Sequence, residues 1–203
     1  MIIVVVDNRT PLIGAKHSMT TKLIDTLTHT EDVELTVVNS VAAINDGIDF
    51  TKTDMLFISG SSMRLTNPHD IPTCRAAIIA VTHALKNNIP IVGICFGAQL
   101  LTWMMGGSVA IHPANSRPYF YSTKFGTMYF NHKDVITEAP PGFEILSRHA
   151  KWGFILTMWC AESRILLTQW HPEGSEEGAN FLKTFIQKQK TFMQGDRRDD
   201  SKE

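Results

Sequence analysis

Cysteine is scarce in this chain: Cys74, Cys95 and Cys160 are the only ones among 203 residues, and no two stand at CxxC spacing. That pattern excludes a disulfide scaffold and a thiolate zinc site. Long apolar runs are also lacking. Ile2 to Val6 is too short to cross a bilayer, and neither a basic leader nor a small-residue cleavage site accompanies it. No membrane partner is therefore expected, and reduced thiols in a cytoplasmic setting are. An excess of one charge is missing too. Lys and Arg number 19 against 20 Asp and Glu, which leaves no electrostatic footprint for nucleic acid. Internal repeats and low-complexity stretches are absent.

The apolar fraction, 43%, is enough to build one core. A single domain is expected over residues 1–190. The charged segment 191–203 carries both signs and few apolar groups, and reads as a disordered tail.

Ile2 to Val6 is continuously β-branched, as in a strand buried on both faces of a parallel sheet. Asp7-Asn8-Arg9-Thr10-Pro11 ends it, and Thr20 to Thr28 fits a helix. Val33 to Val38 and Met55 to Ile58 follow as strands, the latter running into the turn Ser59-Gly60-Ser61-Ser62. Pro72 to Lys86 fits a helix with proline at its start, and Ile89 to Ile94 is a further buried strand. This alternation predicts an α/β fold with an open, mostly parallel sheet and helices on both faces. From Ser108 to Gln169 the β-type runs are short: Tyr119 to Tyr121, Thr127 to Phe130, Phe154 to Met158 and Ile165 to Thr168. Hairpins or a small antiparallel extension are expected there. A last helix is expected from Glu176 to Gln189.

Chemistry enters at Gly93-Ile94-Cys95-Phe96-Gly97, between a buried strand and a helix expected over Ala98 to Met105. A nucleophile on such an elbow needs small residues two before and two after it, and both are glycine. The turn lifts the thiol above the carboxyl end of the strand, where open α/β sheets place their ligands. The following helix N-terminus favours thiolate. An ordinary buried cysteine is the plainer reading of any single thiol, and the paired glycines weigh against it.

A cysteine nucleophile requires an imidazole to take and return a proton. Of eight histidines, His171 follows the apolar run Ile165-Leu166-Leu167 and precedes Pro172-Glu173. A strand end would deliver it to the same rim as Cys95, with Glu173 close enough to orient the ring. His17, His29, His69, His83, His112 and His149 read as surface histidines in turns.

Gly93 to Leu101, taken with Thr168-Gln169-Trp170-His171-Pro172-Glu173, closely resembles the class I glutamine amidotransferase family, and the likeness covers nearly the whole chain. The resemblance implies that family's flavodoxin-like fold and a Cys95–His171–Glu173 triad. It also implies attack on the side-chain amide of glutamine, a glutamyl thioester, and release of ammonia and glutamate. No cofactor and no metal are called for. An oxyanion needs two aimed N–H donors. The backbone of Phe96 is one, and the resemblance implies Ser61, on the loop with Gly60, as the other. The family's pattern there is Ser-Gly-Gly-Pro, so Ser61 and Ser62 replace glycine and proline. On that basis the second donor is expected to depend on a partner packed on the rim, with slow turnover by the chain alone.

Gln99 matches a family position that contacts the amino-acid end of the substrate; Ala98 stands where many members have histidine. Asn131-His132-Lys133-Asp134 resembles the Ser-His-Gly-Asp segment of guanosine monophosphate synthetase glutaminase domains. There Asp134 would pair the substrate ammonium and the His132 N–H would meet its carboxylate. Two enzymatic readings stay open. One is a glutaminase subunit feeding ammonia to a separate synthetase, in keeping with a chain of this length. The other is a stand-alone γ-glutamyl hydrolase with the same triad. A silent binding module that kept the fold is disfavoured by the intact triad.

Overall fold

The computed structural model describes residues 1–8, 19–39, 50–112 and 118–199. The break from Arg9 to Pro11, and His17, lie outside the described residues. Strands β1 (Ile2–Asp7), β2 (Glu34–Asn39), β3 (Met55–Ile58) and β4 (Ile91–Ile94) pair in parallel, in the order β2-β1-β3-β4. Further along come β5 (Ser108–Ile111), β6 (Tyr119–Thr123), β7 (Gly126–Phe130), β8 (Asp134–Glu138), β9 (Glu144–Arg148), β10 (Ile155–Cys160) and β11 (Ile165–Thr168). β11 lies parallel beside β4, with Ile94 opposite Thr168. From it β10, β8 and β5 continue antiparallel, and β9 pairs with β10. The expected α/β architecture is present: among the described residues, a mostly parallel sheet of nine strands with an antiparallel extension. β6 and β7 form a separate two-stranded hairpin.

Four helices flank the sheet among the described residues: α1 (Met19–Thr28), α2 (Arg75–Lys86), α3 (Phe96–Met104) and α4 (Glu176–Asp199). Side chains alternate along a strand, so β1 serves two cores. Val4 and Val6 meet Ala77, Ala80 and Val81 of α2 and Leu100 of α3. Ile3 and Val5 face Leu23 and Leu27 of α1 and Leu182 and Ile186 of α4. Ala77 with Ala80 and Val81, Leu23 with Leu27, and Leu182 with Ile186 stand at i,i+3 or i,i+4 spacing, which lines one helix face. Burying a Leu or Ile side chain contributes about 1.5–3 kcal/mol.

By its short length Ile165 to Thr168 groups with the antiparallel half. Its neighbours decide otherwise: β11 is buried along its whole length and pairs with β4 on one side and β10 on the other. The last helix runs to Asp199, past the expected end at Gln189. A third apolar cluster, Met128, Phe130, Val135, Phe154, Leu156 and Trp170, anchors the β6–β7 hairpin over the carboxyl rim. His112 and His149 belong to the aromatic packing around it. Both are buried against Trp152 and Phe154 rather than standing in surface turns.

Candidate active site

The parallel pairing of β4 with β11 brings together two motifs that are distant in sequence. β4 ends at Ile94, and the backbone N–H of Cys95 donates to the Thr168 carbonyl at 2.7 Å. The chain then turns sharply. Cys95 adopts φ +52°, ψ −105°, and α3 begins at Phe96. A non-glycine residue in this region costs of order 1–3 kcal/mol, and such strain concentrates at functional sites. The flanking glycines have steric reasons. A Cβ on Gly97 would run into the backbone carbonyl oxygen of Ile58. One on Gly93 would meet the Ala98 backbone at 3.0 Å and Leu167 Cδ2 at 2.8 Å. Gly97→Ala is therefore expected to destabilise the fold by about 1–3 kcal/mol or more. Gly93→Ala should cost less, because the Leu167 side chain can shift. Urea unfolding of both variants measures the order, and equal stability of Gly97→Ala and the unsubstituted chain would contradict it.

β11 delivers His171. Beyond Thr168 the indole N–H of the fully buried Trp170 donates to Thr157 Oγ1 at 2.8 Å, and Thr168 Oγ1 donates to the Trp170 carbonyl. The His171 N–H donates to the Tyr129 carbonyl of β7 at 2.8 Å, so the hairpin braces the histidine. His171 Nδ1 lies 2.8 Å from Glu173 Oε1, and both side chains are buried. Burial by itself would lower the imidazole pKa. The Cys95 sulfur and then the Glu173 carboxylate outweigh it and raise the value to about 10. Both also hydrogen-bond the ring. Cys95, His171 and Glu173 thus form one contiguous constellation. Cys74 and Cys160 are buried elsewhere in the apolar core.

The Ser59–Ser62 loop lies against this constellation. A Cβ on Gly60 would sit 2.8 Å from His171 Cε1 and 3.6 Å from Cys95 Cβ. The backbone N–H groups of Ser61 and Phe96 donate no hydrogen bond to the described residues. For Phe96 the reason is general, since the first turn of a helix leaves its N–H groups without intrahelical acceptors.

The expected pocket residues are nearby and mostly engaged. Cys95 Sγ is 3.7 Å from the Asn131 carbonyl oxygen. The side-chain nitrogen of buried Gln99 donates to the Asp134 carbonyl at 2.7 Å and to Gln169 Oε1 at 3.3 Å. His132 Nδ1 is 3.0 Å from the Asp134 carbonyl. Burial, then His112, lowers the His132 pKa to about 3, so its ring is neutral and donates there. The Asp134 carboxylate is buried, and both its oxygens have protein partners. Arg64 donates through Nε at 3.0 Å and Nη2 at 2.9 Å, and Thr66 through its N–H at 3.1 Å and its hydroxyl at 2.9 Å. Sequence reasoning passes over Arg64 and Thr66. Arg64, the one arginine or lysine between Ser59 and Asp70, is the available signal. It also passes over Asn8, whose place at the carboxyl end of a parallel strand is where sites form.

The family model described as glutamine amidotransferase class-I matches residues 12–188. This chain belongs to the class I glutamine amidotransferase family. A GMP synthase [glutamine-hydrolyzing] from Clostridium botulinum is 30% identical over 129 residues, which cover 57% of this chain and 24% of that protein. One from Fusobacterium nucleatum is 33% identical over 116 residues, 50% of this chain and 22% of that protein. The chain thus spans about a quarter of the curated relatives it matches. Among solved structures, a protein from Thermoplasma acidophilum described as one subunit of a GMP synthase superposes at TM-score 0.73 and 21% identity, over 97% of this chain and 98% of that one. A Thermotoga maritima glutamine amidotransferase superposes at TM-score 0.65 and 15% identity, over 97% and 85%. These likenesses show the fold of the amidotransferase domain. Among the described residues no helix is long and apolar enough to cross a membrane.

Proposed function

We propose that this amidotransferase domain hydrolyses the side-chain amide of glutamine through a thioester on Cys95. The observation that carries the reading is the strained Cys95 elbow facing a buried His171 that is bonded to Glu173. The Cys95 thiolate attacks the amide carbon, and the carbonyl oxygen becomes an oxyanion held by the N–H groups of Ser61 and Phe96. Collapse breaks the C–N bond as the His171 imidazolium gives its proton to the leaving nitrogen, and ammonia departs. Neutral His171 then takes a proton from water, which attacks the thioester through a second oxyanion. Glutamate leaves, and the thiolate–imidazolium pair is restored. Glu173 keeps the ring oriented and offsets its positive charge.

The ammonia is destined for a synthetase of the guanosine monophosphate type. The naming of the relatives as glutamine-hydrolysing GMP synthases supports this, as does the Asn131 to Asp134 segment beside Cys95. The test is direct: incubate the chain with glutamine, and separately with a γ-glutamyl dipeptide, and measure ammonia, glutamate and free amine. Glutamine consumed with one ammonia per glutamate is the expected result. Faster turnover of the dipeptide would assign the domain as a γ-glutamyl hydrolase and leave the triad in place.

Gln99, Asn131, His132 and Gly60 line the substrate side in this proposal, and Asp134 works through the groups it holds. With its carboxylate carrying Arg64 and Thr66, its loss frees the pocket wall and leaves a cation without its partner. Asp134→Ala is expected to raise KM for glutamine at least about tenfold, the equivalent of roughly 1.4 kcal/mol of uniform binding. Its effect on kcat should be smaller. An unchanged KM with collapsed kcat would place Asp134 in the chemistry instead.

A further inference from the structure

Ser62 lacks the stiffness of proline, and Ser61 lacks the backbone freedom of glycine, yet the loop they occupy is tied down from beneath by the end of β1. Asn8, with no exposed surface, donates its N–H to Ser59 Oγ at 3.0 Å and its side-chain amide to the Ser59 carbonyl at 3.1 Å. Ser59 Oγ in turn donates to the Gly60 carbonyl at 3.1 Å. The Ser61 hydroxyl donates to the Asn8 carbonyl at 2.8 Å and accepts the Met63 N–H at 3.1 Å. Ser59 N–H donates to the Val6 carbonyl at 3.1 Å, which joins the loop to the β1 ladder.

One of these bonds bears directly on the oxyanion. The Gly60 carbonyl and the Ser61 N–H belong to a single planar trans peptide and point to opposite sides of it. With the carbonyl held by the buried Ser59 hydroxyl, the N–H lies on the other side. Flipping this peptide would break the Ser59–Gly60 bond and turn the N–H away from the side it now faces. Resting on the glutaminase reading above, we propose that Asn8 and Ser59 are positioning residues: they lock the Gly60–Ser61 peptide with Ser61 N–H set as an oxyanion donor. The lock takes over the work of the missing glycine and proline. It also replaces the dependence on a partner expected from Ser61 and Ser62 alone, so the chain holds both donors in place by itself.

The experiment uses the full chain with Ser59→Ala and Asn8→Ala. Removing a single oxyanion donor typically costs about 100- to 1000-fold in kcat. Each variant frees the donor only in part, so a loss of roughly 10- to 100-fold in kcat is expected, with KM within about threefold. Iodoacetamide alkylation of Cys95 should proceed at the unsubstituted rate, because displacement of iodide forms no oxyanion. Amide hydrogen exchange across residues 59–63 should quicken, reporting release of the loop apart from catalysis. If both variants keep full kcat while the parent chain hydrolyses glutamine, the lock is overturned and the glutaminase reading stands. If the parent chain hydrolyses no glutamine, that reading falls. The exchange data then decide the lock: unchanged protection at 59–63 overturns it, and faster exchange supports it. Slowed alkylation alongside lost kcat would also overturn it, since the damage would then lie in the Cys95–His171 pair.

Discussion

Cys95→Ala is expected to abolish release of ammonia from glutamine while leaving the protein folded. No other group in the constellation can form the acyl intermediate, and loss of a nucleophile in a triad costs up to about 10⁶-fold in kcat. The fold should tolerate the change well, because alanine retains the Cβ and removes only the sulfur from the rim. A reactive glutamine analogue, such as a diazo ketone, should label Cys95 and spare Cys74 and Cys160. Those two thiols sit in the apolar layer beneath α2 and α3, on no glycine-flanked turn. The elbow holds the Cys95 sulfur at the head of a helix and beside an imidazole. Mass spectrometry placing the label mainly on Cys74 or Cys160, or ammonia release persisting in Cys95→Ala, would overturn the assignment.

His171→Ala should be nearly as damaging, because in the proposed mechanism the same ring protonates the leaving ammonia and later deprotonates water. Glu173→Gln should be milder, by roughly 100-fold, since the orienter moves no proton itself. The pH profile carries a second signature. In the free enzyme the His171 pKa is raised to about 10 by the Cys95 sulfur and the Glu173 carboxylate. As pH rises through that value the imidazolium is lost, and with it the acid for the leaving nitrogen. The alkaline limb of kcat/KM, which reports the free enzyme, is therefore expected near 10. Glu173→Gln removes one of the two negative groups that raise the value, so the limb should move to lower pH. Full turnover with an unmoved limb in Glu173→Gln would reduce the triad to a dyad.

Much of this was legible in the residues because it is local. Two glycines around one cysteine, a β-branched run before them and a helix-forming run after them specify an elbow within a few residues. His-Pro-Glu after an apolar run places a histidine at a strand end with a carboxylate beside it. The boundaries slipped where capping was weak. The second helix begins at Arg75 after a short turn through Ile71–Cys74, not at Pro72, and the elbow helix begins at Phe96 rather than Ala98.

Sequence alone therefore determined the class of fold and the three residues offered as the catalytic group, which rest on short-range patterns of size, branching and spacing, while the family rests on the resemblance of the two motifs to known ones. Only the tertiary structure decided which strands are neighbours. β11 could not be assigned to the parallel half from three apolar residues and a threonine, because its place depends on both faces finding cover, a property of the whole sheet. The same holds for the bracing of His171 by Tyr129, the Asp134 clamp on Arg64 and Thr66, and the bonds from Asn8 to Ser59 and Ser61. Each joins polar groups from separate segments. A serine or asparagine in a turn looks alike in sequence whether it faces solvent or a buried carbonyl. Burial is what makes those hydrogen bonds obligatory, and burial exists only once the sheet has brought the strand ends to one rim.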